Sequence, residues 1–239
     1  ARRAVQKQIA QALELQLKAV YQNCQRLLVG LEENVSGRAI ALRSLKNRTL
    51  AYLMLLERED YWRWSIEQFD ANANMTEVLS ALGNLVHSEF TALSAEKTRA
   101  LDAFFSRWQH EPLVVNQWLS VQASDPSPGA LERVKTLLQS PAFDLRNPNK
   151  VRSLISVFAN QNLVHFHALD GSGYAFLADQ VLHLNRQNPQ IAARLLAPLT
   201  KWRRYDESRQ ALMKAQLVRI AEAELSKDVY EVVNKSLKE

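Results

Sequence analysis

Apolar residues recur three and four positions apart along nearly the whole chain, the spacing of helices that bury one face. From Ala1 to Gly30 the stripe is Val5, Ile9, Ala12, Leu13, Leu17, Val20, Tyr21, Cys24, Leu27 and Leu28. This predicts one long helix stopped by Gly30. Ser36 is placed to cap a second helix with Ile40, Leu45, Leu50, Leu53 and Leu56 inward. Asp60 is expected to cap a third, aromatic helix through Tyr61, Trp62, Trp64, Ile66 and Phe69. The segment Asn72 to Thr76 breaks it, and Thr76 then caps a fourth through Val78, Leu79, Leu82, Leu85 and Val86. Ser94 opens a fifth, and Pro112 suits the first turn of a sixth.

The sequence Ala-Ser-Asp-Pro-Ser-Pro-Gly from Ala123 to Gly129 is a loop, because two prolines and a glycine punctuate any helix. Helices are expected at Leu131–Leu138 and, after a connector from Pro141 to Pro148, at Asn149–Ala159 with Val151, Leu154, Ile155 and Phe158 inward. A Gly171-Ser172-Gly173 turn opens another helix, carrying Tyr174, Leu177, Ala178, Val181, Leu182 and Leu184. Asn188-Pro189 ends it and starts the next, Gln190 to Leu199, since proline disfavours helical backbone in the residue before it but fits a first turn. Two final helices, Asp206–Leu225 and Ser226–Leu237, complete about a dozen. Strand signals are scarce. The expected fold is all-α: one helical-repeat domain, 1–239, built as a superhelical stack of antiparallel helix pairs of the HEAT/armadillo kind, without a strict repeat.

Composition narrows the partners. The 239 residues carry 30 Lys and Arg against 25 Asp and Glu, a formal charge of +5. A nucleic-acid footprint gathers on one stripe, whereas these cations are mixed with acids over most helices, so no nucleic acid is expected. No apolar run is long enough to span a membrane. The one cysteine, Cys24, cannot form an internal disulfide, which favours a reducing compartment. The chain lacks an initiator Met and begins as though cut from something longer.

Candidate chemistry is thin. The histidines are His87, His110, His165, His167 and His183. His165-x-His167 with Asp170 could approach a metal, but a zinc site needs further ligands and none is close in sequence. A loop whose histidines hydrogen-bond carbonyls is the plainer reading. Asp170-Gly-Ser-Gly173 before a helix could cradle an anion on free amides, although it has neither a Walker lysine nor the full dinucleotide glycine spacing. Arg152 and Arg194 lie in helices among apolar residues, where a guanidinium needs a partner or water. A salt bridge is the commoner use of such an arginine.

Four strings carry a resemblance: DGSGY at 170–174, NPQIAARLLAPL at 188–199, RYD with RQALM between Arg204 and Met213, and NPNKVRSLI at 147–155. They resemble the C-terminal helical domain of zinc aminopeptidases of the aminopeptidase N type, members of the gluzincin clan. Those enzymes hold zinc through H-E-x-x-H and grip the substrate amino terminus with G-x-M-E-N. Neither string is present, so the resemblance implies that this segment has no catalytic residue, holds no metal and leaves the zinc to an upstream catalytic domain. It also implies that the segment lacks its first helices, caps the catalytic domain of the same polypeptide and walls the chamber that peptide substrates enter. Matching the strings puts chamber-facing groups at Arg152, at Arg194 and, one helical turn before it, at Gln190, where guanidinium and carboxamide suit peptide carbonyls and carboxylates. The implied whole enzyme is a cytoplasmic monomer that removes N-terminal residues from peptides. The alternative is a free-standing helical scaffold that binds a protein or peptide partner.

Overall fold

The computed structural model describes residues 2–238, which form helices joined by turns with no strand among them. The chain separates into two compact units, Ala1–Arg107 and Trp108–Glu239. The first holds α1 (Arg2–Ala12), α2 (Glu14–Leu28), α3 (Gly37–Met54), α4 (Glu59–Ala71), α5 (Met75–Val86) and α6 (Ser94–Trp108), the last crossing the boundary. The second continues with α7 (Pro112–Ala123), α8 (Ala130–Leu138), α9 (Pro148–Val151), a π turn (Arg152–Ser156), α10 (Val157–Gln161) and α11 (Leu163–Phe166). Then follow α12 (Ser172–Gln187), α13 (Pro189–Leu195), a 3-10 segment (Leu199–Arg204), α14 (Glu207–Ala221) and α15 (Lys227–Lys238).

In the first unit α2 packs on α3 and α4 on α5, with α3 also meeting α4 and α5. The core is Tyr21, Cys24, Leu50, Leu53, Leu82, Leu85 and Phe104. The long first helix expected from the stripe is two helices. Leu13 leaves helical geometry at φ −111 and ψ 17, although Leu13 N–H still reaches the Ile9 carbonyl at 3.0 Å and the Leu13 carbonyl still accepts from Leu17 N–H at 2.9 Å. The apolar face around this break is open: Val5, Ile9 and Leu13, four residues apart, are all exposed, and Leu15 is 79% exposed. Gly30 does stop α2, with φ +76.

Capping follows the same physics with shifted residues. Ser36 Oγ accepts the Ala39 N–H at 3.3 Å. Asp60 lies inside α4, whose N-cap is Arg58 with no side-chain cap; α5 is capped by Asn74, not Thr76, through the Glu77 N–H at 3.0 Å. Asn offers its oxygen with the same reach as Thr and is preferred at that position. Asn72 closes α4 in the left-handed region at φ 48, a conformation asparagine tolerates.

In the second unit α7 packs on α8 and on the π turn, while α12, α13, α14 and α15 form the other cluster. Asn188 caps α13, accepting from Ile191 N–H at 3.2 Å, with Pro189 in the first turn. The helix expected to run to Leu199 ends at Leu195, and Pro198 leads into the 3-10 segment. There Arg203 stacks on Trp202 with 4.0 Å between guanidinium and ring. Trp202 Nε1 at 3.3 Å and Arg203 Nη1 at 2.8 Å both donate to the Ser236 carbonyl on α15.

Candidate functional site

The three residues singled out by sequence stand on two elements. Gln190 and Arg194 are one turn apart on α13, both exposed, so α13 brings them to one face. Arg152 is also exposed but rises from the π turn, a separate element packed against α7 and α9. Among the described residues none forms an ion pair or side-chain hydrogen bond with any of the three. The salt-bridge use of these arginines is therefore not made within the described chain.

Arg152 owes its position to an extra residue in the helix. Val157 N–H reaches the Arg152 carbonyl, five residues back instead of four. A wider turn of this kind leaves nearby carbonyls short of partners. Ser120 on α7 lies 3.1 Å from the Ser153 carbonyl through its Oγ, which shares its one proton with the nearer Asn116 carbonyl at 2.8 Å. Leu154, Ile155 and Phe158 are fully buried beneath it.

The most recognisable sequence strings turn out to build a brace. Asp170 accepts the Ser172 N–H at 2.9 Å and Gly171 takes φ +72 to turn into α12. Tyr174, fully buried, bonds His167 Nδ1 through its hydroxyl at 2.8 Å. The His167 ring lies against Tyr205 with centroids 4.5 Å apart. Asp206 caps α14 and holds Arg209 Nη1 at 2.7 Å, while Arg209 Nε donates to the His167 carbonyl at 3.1 Å. Burial pushes the Tyr174 phenol up to about 12, so it remains a donor. Burial, and then the Arg209 charge, hold His167 below the usual histidine range.

That lowered basicity fixes a sign. A histidine that binds its proton less readily when folded contributes stability above its unfolded value near pH 6.5, and loses it as pH falls through the folded value. Stability is therefore expected to drop on acidification below about pH 6.5, and His167→Gln to flatten that drop relative to the parent. Urea melts at pH 5 and pH 8 check it; an identical pH slope in the two proteins overturns it.

These histidines do not fit a metal. His165 Nε2 is 2.9 Å from the Pro126 carbonyl, and His167 is committed to Tyr174. Among the described residues no three His, Cys, Asp or Glu side chains gather closely enough to hold an ion.

Hydrophobic patterning missed a second polar group, in the first unit. Lys46 Nζ pairs with Glu77 Oε1, both side chains 8% exposed. Gln68 Nε2 donates to Asn47 Oδ1 and to the Glu77 carbonyl, each at 2.9 Å. Arg43 Nη1 donates to the Leu31 carbonyl at 3.1 Å, and its Nη2 to that of Asn34. The cluster borders a cavity of about 320 Å³ lined also by Tyr21 and Trp64, whose rings stack at 4.7 Å. Burial and the Glu77 charge keep the Tyr21 phenol protonated by raising it above its ordinary value. Lys46, Arg43, Asn47 and Gln68 all donate within the chain, the pattern of a structural core, although Gln68 Oε1 is buried without a partner.

Comparison with known proteins agrees with these strings. Residues 1–238 match the family model described as a domain of unknown function, DUF3458_C, ARM repeats. The chain is 39% identical over 99% of its length to aminopeptidase N of Haemophilus influenzae, and 37% identical over 99% to that of Escherichia coli. Over 86% of its length it is 41% identical to aminopeptidase N of Caulobacter vibrioides. It spans about a quarter of these relatives, 26%, 26% and 24% of their lengths respectively. A crystal structure of Legionella pneumophila aminopeptidase A in complex with aspartic acid superposes with a TM-score of 0.86 at 32% identity, covering 99% of this chain and 28% of that one. The chain belongs to the DUF3458_C family of ARM-repeat domains and matches the C-terminal helical domain of aminopeptidase N.

Proposed function

We propose that this chain is the C-terminal domain of a zinc-dependent aminopeptidase that removes N-terminal residues from peptides, with no bond cleavage by the segment itself. It caps the catalytic domain of the same polypeptide, which carries the zinc, and walls the chamber through which peptides reach it. The observation that carries the substrate role is the Gln190–Arg194 face of α13, exposed and uncommitted among the described residues. A guanidinium fork and a carboxamide one turn apart suit the carbonyls and terminal carboxylate of a peptide beyond its scissile bond. Arg152 adds positive field that favours the same carboxylate. The open Val5–Ile9–Leu13 stripe supports a covering domain over a free-standing scaffold, because an isolated repeat array needs polar end faces. The enzyme is proposed to act as a monomer and, in keeping with the single, buried Cys24, in the cytoplasm.

In the full-length polypeptide, Arg194→Ala is expected to raise KM for peptides of four or more residues about tenfold, the loss of one charge-assisted hydrogen bond. Hydrolysis of an alanyl anilide, too short to reach α13, should be unchanged. Equal effects on both substrates, or none on the peptide, overturn the substrate role. This segment alone, assayed with added zinc, should release no alanine from alanyl amides; measurable turnover overturns its assignment as non-catalytic.

A further inference from the structure

A cavity of about 540 Å³ opens between α3 and the first turns of α5 in the first unit. Its α3 wall is one helical face: Ile40, Arg43, Ser44, Asn47, Arg48 and Ala51 stand at i, i+3, i+4, i+7, i+8 and i+11. Thr76 and Ser80, one turn apart on α5, face them. Asn47 Nδ2 lies 3.5 Å from the Thr76 carbonyl and sets the two helices in register.

Arg43 and Asn47 are committed to main-chain carbonyls and to Gln68, whereas the exposed Ser44, Arg48 and Thr76 and the half-buried Ser80 are unspent. A serine or threonine in a helix ordinarily returns its hydroxyl to the carbonyl four residues back. Ser120, Ser124 and Ser153 do so at 2.8, 2.8 and 2.7 Å, and Thr49 at 2.9 Å. The hydroxyls of Ser44 and Ser80 make no such bond, Thr76 stands in the first turn where no helical carbonyl lies four residues back, and the Arg48 guanidinium has no ion pair among the described residues. No carboxylate lines the cavity. The amides of Met75 and Thr76 open α5 without an intrahelical acceptor, because Asn74 serves Glu77. Ile40, exposed, and Ala51 supply an apolar flank beside these donors.

We propose that this cavity is a second ligand site, taking a small carboxylate that carries a short apolar side chain, as an acyl amino acid or a peptide C-terminus does. Arg48 takes the carboxylate, the hydroxyls of Ser44, Thr76 and Ser80 complete its hydrogen bonds, and the side chain lies along Ile40 and Ala51. The volume is that of ordinary small-molecule sites. None of these residues belongs to the Arg152, Gln190 and Arg194 group, so the site stands or falls apart from the peptide contacts proposed above.

The test uses the full-length polypeptide and N-acetyl-leucine, whose blocked amine cannot serve as an aminopeptidase substrate terminus. Titration calorimetry should show saturable binding below about 10 mM, with N-acetyl-leucinamide and inorganic phosphate each at least tenfold weaker. Arg48→Gln and, separately, Ser80→Ala should each weaken N-acetyl-leucine about tenfold while anilide hydrolysis is unchanged, and Arg48→Lys should keep part of the affinity. Equal binding of the amide or of phosphate overturns the proposal, as does wild-type affinity in both Arg48→Gln and Ser80→Ala. If Arg48→Gln fails to fold, the Ser80→Ala result decides alone.

Discussion

Replacing Gly173 with alanine is expected to destabilise the protein by about 2–4 kcal/mol. A Cβ at this position would lie 2.4 Å from the Phe166 carbonyl oxygen, 2.6 Å from Phe166 Cα and 2.8 Å from the His165 carbonyl oxygen. All three are main-chain atoms, so no side chain can swing aside. α11 would have to move off α12, and it is pinned from the other side. Asn162 Nδ2 donates to the Ala123 and Asp125 carbonyls at 3.0 and 2.8 Å, and His165 bonds the Pro126 carbonyl. The gain in helix propensity, about 1 kcal/mol for Gly to Ala, works in the opposite direction and is too small to win. Gly83 in α5 supplies the control. An added Cβ there meets nothing within 4 Å, so Gly83→Ala should stabilise by about 0.5–1 kcal/mol. Urea denaturation of the two variants should move in opposite directions; a Gly173→Ala midpoint at or above the parent's is the result that sinks the close-approach account.

The second large effect lies in the first unit. Lys46→Met is expected to cost about 3–5 kcal/mol, because it leaves the Glu77 carboxylate buried without its cation. The double variant Lys46→Met with Glu77→Gln should recover most of that loss. A neutral carboxamide has no charge to desolvate, and it keeps the acceptor that Asn74 Nδ2 now reaches at 2.9 Å. The single and double variants, compared by the same denaturation, separate the cost of an orphaned charge from the worth of the pair. If both lose stability equally, the ion pair itself stabilises the fold and the orphaned-charge account fails.

These two sites mark where sequence reading succeeds and where it stops. Gly171 to Gly173 is legible because a glycine pair before an apolar run signals a turn, and Asn188-Pro189 because cap and proline chemistry is local. Ser94 and Pro112 open α6 and α7 for the same reason. The helix α3 is the opposite case. Its apolar stripe nominates Ile40 and Leu45 as inward, yet both are exposed, while Arg43, Lys46 and Asn47 are buried. Hydrophobic spacing has no access to a face whose charges are neutralised by Glu77 and by carbonyls from a loop thirty residues or a dozen away in the chain. The break at Leu13 and the wide turn at Arg152 are invisible for a related reason: neither glycine nor proline marks them, and the turn at Arg152 is packed against α7, far away in the chain. Of the candidate site, the helix-turn pairing of Gln190 with Arg194 follows from spacing alone, whereas Arg152 depends on the π turn.

The bonds from Trp202 and Arg203 to the Ser236 carbonyl set an order in time. A ribosome makes the indole and guanidinium donors more than thirty residues before their shared acceptor. Until α15 has been translated and has docked, that corner of the second unit holds polar groups that only water can satisfy. That corner of the second unit therefore cannot complete its hydrogen bonding until the last helix has left the ribosome.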